Sequence, residues 1–220
     1  MDKIDKIIQD VLNPNGSKKR INYKYDFKIA MDKWKEIASR LIGEIELQKD
    51  IENVWSNLIK WSFADESGDY NLNKGVYLMG RTGSGKSRTM EILNTFLRYD
   101  NIRYIKNDKV SPMAFIIYNS RTVVSDYTLN GTEGLEKYLY YSNICIDDLG
   151  AEPVEALYYG TRLNVMTEII EQRYAKGLTT HFSSNLNMKL LNDRYDDRVY
   201  SRIKHSCNII QLNDKDFRNV

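Results

Sequence analysis

Residues 80–87 constrain the fold of this chain more than any other segment. They read Gly-Arg-Thr-Gly-Ser-Gly-Lys-Ser and satisfy the pattern G-x-x-x-x-G-K-[ST] at each of its fixed positions. The apolar run 76–79 before them is typical of a buried strand, and apolar residues recur at helical spacing from Met90 to Leu97 after them. A strand, a glycine-rich loop and a helix in this order predict a loop whose backbone surrounds phosphate groups.

The chemistry of this loop indicates a nucleoside triphosphate as its ligand. Glycines let successive backbone N–H groups point inward, and the positive end of the following helix dipole faces the same point. We expect the ammonium group of Lys86 to neutralise the β- and γ-phosphates, and the hydroxyl of Ser87 to coordinate Mg²⁺. The predicted nucleotide-binding residues are Gly80, Arg81, Thr82, Gly83, Ser84, Gly85, Lys86 and Ser87.

A second candidate segment, residues 143–150, is an apolar run that ends in two adjacent carboxylates. This is the pattern of a Walker B element. A carboxylate at the carboxyl end of a strand beside the loop strand can hold Mg²⁺, which is the role predicted for Asp147. Asp148 is then predicted to orient or deprotonate the attacking water.

Asn185 follows a further predicted strand, residues 179–184. Ligand sites in open α/β sheets gather at the carboxyl ends of strands. We therefore expect Asn185 to hydrogen-bond the γ-phosphate or the lytic water, although asparagine is also a common turn residue.

Arg198 and Arg202 are four residues apart and so share one face of a predicted helix. Two guanidinium groups on one face suit a phosphate, and they complete a neighbour's site in trans if they point away from their own nucleotide. The alternative is that they form surface ion pairs with Asp196 and Asp197.

The alternation of strands and helices predicts the fold class. Besides 76–79 and 179–184, we expect strands at residues 113–118, 144–147 and 208–212. A long helix between the third and fourth of these five strands ends near Lys176 and Gly177. The order predicts an α/β P-loop fold with a mainly parallel five-stranded sheet flanked by helices. For residues 129–137 we expect a surface loop.

The N-terminal part is predicted to be an appendage. Apolar residues lie on one face of a short helix, namely Ile4, Ile7, Ile8, Val11 and Leu12. Residues 13–20 are turn-forming and basic and read as a linker. The chain thus divides into this helix and linker (1–20), a helical lead-in (21–73) and a P-loop core (74–220). The apolar stripe either binds a partner or folds back onto the protein's own core.

Composition limits the cellular context. The chain has 220 residues, 42% of them hydrophobic, and no apolar run approaches the roughly 20 residues that cross a bilayer. Because a signal peptide is also lacking, we expect a cytoplasmic protein with no membrane partner. Cys145 and Cys207 adjoin apolar residues and are expected to be buried free thiols. The net charge of +2 leaves any contact with DNA to local basic patches.

Together, the ordered motifs resemble the DnaC/IstB-like branch of AAA+ ATPases, which includes bacterial helicase loaders and transposition helper ATPases. The resemblance runs from about Lys74 to Arg218 and rests on six segments: residues 80–87, 147–152, 159–160, 183–186, 198–202 and 216–218. It implies an AAA+ core that binds ATP and Mg²⁺, with Asn185 as the sensor I residue. It also implies that Arg202 or Arg198 is an arginine finger and that subunits assemble head to tail in the presence of ATP.

Two departures from the family pattern qualify this transfer. The chain stops at Val220, so we expect no C-terminal lid domain, a shortness that is usual in this branch, and Arg218 is the candidate to replace a lid-borne sensor in part. Asp148 stands where the wider superfamily prefers glutamate, and its shorter reach is expected to slow hydrolysis. Glu152 is therefore a reserve candidate for the base.

The resemblance implies an ATPase that acts in DNA replication as a DnaC-like loader. It would bind a replicative helicase through its N-terminal region and assemble on DNA, expected to be single-stranded. The alternative is an IstB-like helper that recruits a transposase on duplex DNA. A small-molecule P-loop kinase fits poorly, because it needs an acceptor pocket with its own anion-binding residues. Candidate DNA contacts, for each of which solvated surface charge is the simpler explanation, are Lys18, Lys19, Arg20, Arg103, Lys106, Lys109 and Arg121.

Overall fold

The computed structural model describes residues 18–43 and 49–212, which form an α/β fold. The strands in chain order are β1 (Lys18–Arg20), β2 (Gly75–Met79), β3 (Arg103–Lys106), β4 (Lys109–Pro112), β5 (Ile116–Asn119), β6 (Asn143–Leu149), β7 (Ala156–Tyr158), β8 (Thr161–Leu163), β9 (Thr179–Ser184) and β10 (Cys207–Gln211). The α-helices are α1 (Phe27–Ile42), α2 (Lys49–Phe63), α3 (Lys86–Tyr99), α4 (Ser120–Asn130), α5 (Glu136–Tyr140), α6 (Val165–Ala175), α7 (Met188–Tyr195) and α8 (Asp197–Ser206).

The central sheet has five parallel strands in the order β10-β2-β9-β6-β5. Each corresponds to a predicted strand, so the predicted fold class is confirmed. The strand predicted over residues 113–118 is β5, which begins at Ile116 rather than at residue 113. The reason is that the N–H of Met113 donates to the carbonyl of Ile102 at 2.8 Å, which holds the preceding segment beside the end of α3.

Both faces of the central sheet are covered by helices, as parallel sheets require. One buried cluster joins the sheet to α1, α2 and α3, and the other joins it to α4 to α8. In the first cluster the ring of Trp34 lies 6.0 Å from that of Trp55 and 5.1 Å from that of Phe96. The lead-in helices α1 and α2 therefore share a core with α3, the helix that follows the phosphate loop.

Residues 18–20 differ from the predicted linker. They form β1, which pairs antiparallel with β3 in a separate sheet of order β1-β3-β4. The guanidinium of Arg20 donates to the carbonyls of Leu72 at 2.7 Å, Ser62 at 3.0 Å and Trp61. Trp61 and Ser62 belong to the last turn of α2, so Arg20 donates to carbonyls at a helix end. The predicted helix over residues 4–12 and the residue Arg218 lie outside the described residues.

The expectation of a surface loop at residues 129–137 is wrong. After α4 the chain turns at Gly131, forms a 3₁₀ turn over Glu133–Leu135 and continues into α5. Leu135 and Tyr138 are buried at 1% and 0% exposure. Gly131 marks a close approach, because an added Cβ would lie 2.4 Å from the ring of Tyr158. Gly131 and Gly134 lie where other atoms approach the backbone closely, and the sequence alone does not reveal this packing.

Two expectations from composition concern the cysteines and the membrane. Cys145 in β6 and Cys207 in β10 are buried free thiols, as predicted. Within residues 18–43 and 49–212, none of the helices combines the length and the hydrophobicity that a bilayer span requires.

Candidate nucleotide-binding site

A cavity of about 620 Å³ lies at the carboxyl end of β2. Its polar part is lined by residues 82–89, Asp148 and Asn185. Its apolar part is lined by Leu41, Ile42, Ile51, Trp55 and Ile92. Its volume falls within the range of about 300–1,000 Å³ that is typical of small-molecule and cofactor sites.

The loop that forms the polar part depends on glycines. Gly83 and Gly85 have φ angles of 89° and 83°, a conformation that other residues rarely adopt. At Gly80 an added Cβ would lie 2.7 Å from both the carbonyl of Leu212 and the hydroxyl of Ser84. Gly85 is the N-cap of α3 and provides no side-chain cap, so the first N–H groups of that helix are left for a ligand.

Two buried polar groups of the loop fit a phosphate ligand. Lys86 is 5% exposed, and its ammonium donates to the carbonyls of Gly80 at 2.9 Å and Arg81 at 2.8 Å. The hydroxyl of Ser84 is buried and has no hydrogen-bond partner among the described residues. The ammonium of Lys86, bound to carbonyls of the loop, and the unsatisfied hydroxyl of Ser84 both suit an anionic ligand.

The two carboxylates at the end of β6 occupy different positions. The hydroxyl of Ser183 donates to Oδ1 of Asp147 and accepts the backbone N–H of Asp148 at 3.0 Å. Asp148 lines the cavity and has a φ of 56°, an uncommon conformation that often marks functional sites. Burial and the neighbouring Asp147 raise the pKa of Asp148, while Lys86 and Arg121 act in the opposite direction. The structure thus brings Asp148 to the cavity and Asp147 directly beside it.

The other predicted residues on this side divide between site and scaffold. Asn185 lines the cavity at the end of β9. Glu152 does not face the cavity: it is 4% exposed, and its carboxylate accepts the hydroxyl of Tyr195 and the N–H of Gly150. The alternative that Glu152 acts as the base is therefore not supported.

The two arginines of α8 differ from each other. Arg202 forms an ion pair with Glu171 of α6, and its guanidinium lies 5.7 Å from the ring centre of Tyr174. Arg198 is exposed, and no described residue forms an ion pair or a hydrogen bond with its guanidinium. Neither arginine is among the described residues that line the cavity.

The alternative ion pairs with Asp196 and Asp197 are not formed within the described part of the chain. The carboxylate of Asp196 accepts instead the backbone N–H groups of Arg198 at 2.9 Å and Val199 at 3.0 Å. Asp196 is thus the N-cap of α8 and leaves the guanidinium of Arg198 without this partner.

The apolar part of the cavity was not anticipated. Leu41 and Ile42 end α1, and Ile51 and Trp55 belong to α2. Their helical spacing is visible in the sequence, but the same spacing describes any core-facing helix. Only the packing of α1 and α2 beside the phosphate loop reveals that these residues also line a ligand cavity.

Comparisons with known proteins agree with the fold. Neither a protein-family model nor a curated protein sequence matches the chain. Among solved structures, DnaI matches with a TM-score of 0.56 and 21% identity over 81% of this chain and 93% of that chain. The DnaC helicase loader matches with a TM-score of 0.56 and 16% identity, covering 81% of this chain and 99% of that chain.

A third match is AMPPCP-bound DnaA from Aquifex aeolicus, with a TM-score of 0.54 and 13% identity over 82% of this chain. The chain spans 52% of that protein's length. These identities are low, so the likeness concerns the fold. The chain therefore shares an α/β P-loop fold with DnaI, the DnaC helicase loader and DnaA, in agreement with the fold class that the sequence predicts.

Proposed function

We propose that this chain binds and hydrolyses ATP with Mg²⁺ and acts in DNA replication as a helicase loader. The observation that carries the proposal is the cavity in which Lys86, Asp148 and Asn185 meet an apolar end between α1 and α2. A nucleotide has the same division, with charged phosphates at one end and an apolar base at the other. The phosphate loop suits the phosphates, and the side chains of Ile51 and Trp55 suit the base.

Each polar residue has a role in this proposal. ATP would supply the phosphoryl group, and Mg²⁺ would neutralise the charge that develops on its phosphate oxygens. Lys86 would neutralise the phosphates, while Ser87 and Asp147 provide the oxygen ligands that Mg²⁺ prefers. Asp148, which lines the cavity, would accept a proton from the attacking water. Asn185 would hydrogen-bond the γ-phosphate or that water.

Hydrolysis would be completed by a neighbouring subunit. An exposed guanidinium without a partner suits the phosphates of the next subunit, and an arginine finger increases the rate by about 10³- to 10⁵-fold. Arg198 meets this description, whereas Arg202 is held by Glu171 of its own chain. We therefore assign the finger to Arg198 and a supporting role to Arg202, in a head-to-tail assembly.

The proposed partners are a replicative helicase and single-stranded DNA. The likeness to the DnaC helicase loader supports the first, and the likeness to DnaA bound to AMPPCP and single-stranded DNA, with a TM-score of 0.54 and 12% identity, supports the second. We assign helicase binding to residues 1–17. In a pull-down, deleting these residues should remove the helicase and leave ATP binding unchanged. Capture of a transposase instead would favour the IstB-like alternative.

The enzymatic part is tested by phosphate release from ATP with no acceptor other than water. The wild-type protein, with single-stranded DNA present, should release phosphate steadily. Lys86→Ala should release none, and Lys189→Ala, which removes an exposed lysine outside the cavity, serves as the matched control. A wild-type protein that binds ATP but transfers phosphate only to an added small molecule would support the kinase alternative.

A further inference from the structure

Glu152 is a buried carboxylate that the nucleotide site does not use. The hydroxyl of Tyr195 donates to its Oε1, and the backbone N–H of Gly150 donates to its Oε2 at 2.8 Å. Nη2 of Arg194 lies 3.5 Å from Oε1 and also donates to the backbone carbonyl of Glu152. Removing one partner of such a buried group leaves the others unsatisfied, so these contacts act as a unit. We call Glu152, Arg194 and Tyr195 the carboxylate clasp.

The carboxylate clasp fastens one end of α7 to the chain that follows β6. Arg194 and Tyr195 are the last two residues of α7. Near the other end of this helix, Leu186 lies against Gly150 so closely that an added Cβ would be 2.5 Å from its Cδ1. Gly150 therefore contacts the chain just before α7, and Glu152 contacts the last residues of this helix.

The end of α7 in turn sets the start of α8. The single residue between them, Asp196, has a φ of 106° and caps α8 through the N–H groups of Arg198 and Val199. Val199 is fully buried, so the first turn of α8 has little freedom to rotate. Hydrogen bonds and chain neighbours thus connect residues 148–152, which follow the subunit's own cavity, with Arg198 on its surface.

We propose that the carboxylate clasp positions Arg198 for the neighbouring subunit, which makes Glu152, Arg194 and Tyr195 positioning residues for hydrolysis in trans. The inference rests on the proposed head-to-tail assembly. None of the three is among the described residues that line the nucleotide cavity, so the carboxylate clasp acts on turnover through the junction of α7 and α8. A displacement of about 1 Å at a catalytic group can cost about 10²-fold in rate.

Mixed assemblies separate the subunit that offers the arginine from the subunit that hydrolyses ATP. The acceptor carries Arg198→Ala and Arg202→Ala, so it has an intact cavity and neither α8 guanidinium. The plain donor carries Asp148→Asn, so it offers its arginines but turns over no ATP itself. The clasp donor adds Tyr195→Phe to Asp148→Asn. The control donor adds Tyr200→Phe instead, which removes a hydroxyl from α8 that does not contact Glu152.

Phosphate release by the acceptor, on single-stranded DNA with donor in excess, is the measured quantity. We expect the plain and control donors to restore turnover equally, and the clasp donor to give a kcat about tenfold lower with an unchanged KM, since misplacement slows the chemical step rather than ATP binding. A donor with Asp148→Asn and Glu152→Gln should lower kcat similarly, because glutamine has one acceptor oxygen and cannot accept both the hydroxyl of Tyr195 and the N–H of Gly150. A purely structural role would instead lower the melting temperature or the co-assembly of the clasp donor.

Three outcomes overturn the inference. If the clasp donor restores turnover as fast as the plain donor, Arg198 needs no positioning by the carboxylate clasp, and the head-to-tail assembly stands. If the clasp and control donors fail alike, or the clasp donor does not co-assemble, the effect is not specific to Glu152. If the plain donor co-assembles and restores nothing, hydrolysis does not occur in trans, and the proposed assembly fails together with the inference.

Discussion

Asp148 is the residue on which the proposed chemistry depends most. Its backbone is held in a left-handed conformation, with its N–H on the hydroxyl of Ser183 and its carbonyl accepting the hydroxyl of Ser120 at 2.8 Å. These contacts direct the side chain into the cavity beside Lys86. Asp147 also contacts Ser183, through its carboxylate, and is not among the described residues that line the cavity.

Replacing Asp148 should therefore stop turnover without preventing binding. In Asp148→Asn the ligands assigned to Mg²⁺, Ser87 and Asp147, are unchanged and only the proton acceptor is lost. We expect Mg-ATP affinity within about threefold of wild type and phosphate release reduced by 10²-fold or more, the range of general-base catalysis. Titration calorimetry and a phosphate-release assay measure the two. Hydrolysis at the wild-type rate would show that another group activates the water.

His181 makes the stability of the protein depend on pH. It is fully buried in β9, with its ring centre 4.5 Å from that of Phe115 and 5.8 Å from that of Trp61, and neither nitrogen has a partner among the described residues. Burial, with Lys18, Arg173 and Arg20, lowers its pKa to about 3. The folded protein thus keeps His181 neutral at a pH where the unfolded chain is protonated.

The sign of the effect follows from proton binding. Below the unfolded pKa of about 6.5, the unfolded state binds more protons, so stability falls as the pH decreases toward 3. When the pH is lowered from 7 to 5, the neutral state of His181 should decrease the free energy of unfolding by about 2 kcal/mol. Urea denaturation of wild type and His181→Phe at both pH values tests this. His205→Phe, at an exposed histidine, is the control, and an equal loss in His181→Phe and wild type would contradict the assignment.

At the scale of elements, the sequence predicts regular segments well and their partners poorly. All five central strands are recognisable because buried parallel strands are short apolar runs between turn signals. β1 is not recognisable, since Lys18 and Arg20 find their partners only in residues that are distant in the chain. Lys18 contacts the hydroxyl of Thr179 and the ring of Tyr104, and Arg20 donates to the carbonyls of residues 61, 62 and 72. The same limit applies to the site. Residues 80–87 and Asp148 follow from local motifs, whereas the apolar lining from α1 and α2 depends on tertiary packing.

β1 should be part of the folding unit. Arg20→Ala removes three hydrogen bonds to carbonyls near the end of α2, and a charged hydrogen bond of this kind contributes about 1.5–3 kcal/mol. We expect the melting temperature to fall by about 5–10 °C, the shift for a loss of about 2–3 kcal/mol in a protein of this size. Lys19→Ala, at the exposed middle residue of β1, should shift it by less than about 2 °C. Equal melting temperatures for the two variants would mean that β1 does not stabilise the fold.

This result also bears on truncation. Deletion of residues 1–17 keeps β1, whereas deletion of residues 1–20 removes it. A loss of partner binding accompanied by a lower melting temperature in the longer deletion would therefore reflect the loss of β1. The shorter deletion is the appropriate one for testing recruitment.

At the scale of the whole molecule, we expect an enzyme that is complete only in an assembly. Arg198→Ala should bind ATP as the wild type does and lose the part of its turnover that single-stranded DNA stimulates, by about 10³-fold if it is a finger. Arg202→Ala should lose less, because Arg202 is paired with Glu171 and stacked beside Tyr174. Rates measured against protein concentration test this, since trans catalysis rises with assembly. The opposite ranking would assign the finger to Arg202.

The most direct test of the central claim is calorimetric titration of Mg-ATP into the wild-type protein and Lys86→Ala. We expect one ATP per chain for the wild type and no measurable binding for Lys86→Ala, because the substitution removes the cation that lies within the phosphate loop. Lys189→Ala should bind like the wild type. Equal ATP affinity in wild type and Lys86→Ala, with both folded, would contradict the assignment of residues 80–87 as a nucleotide site.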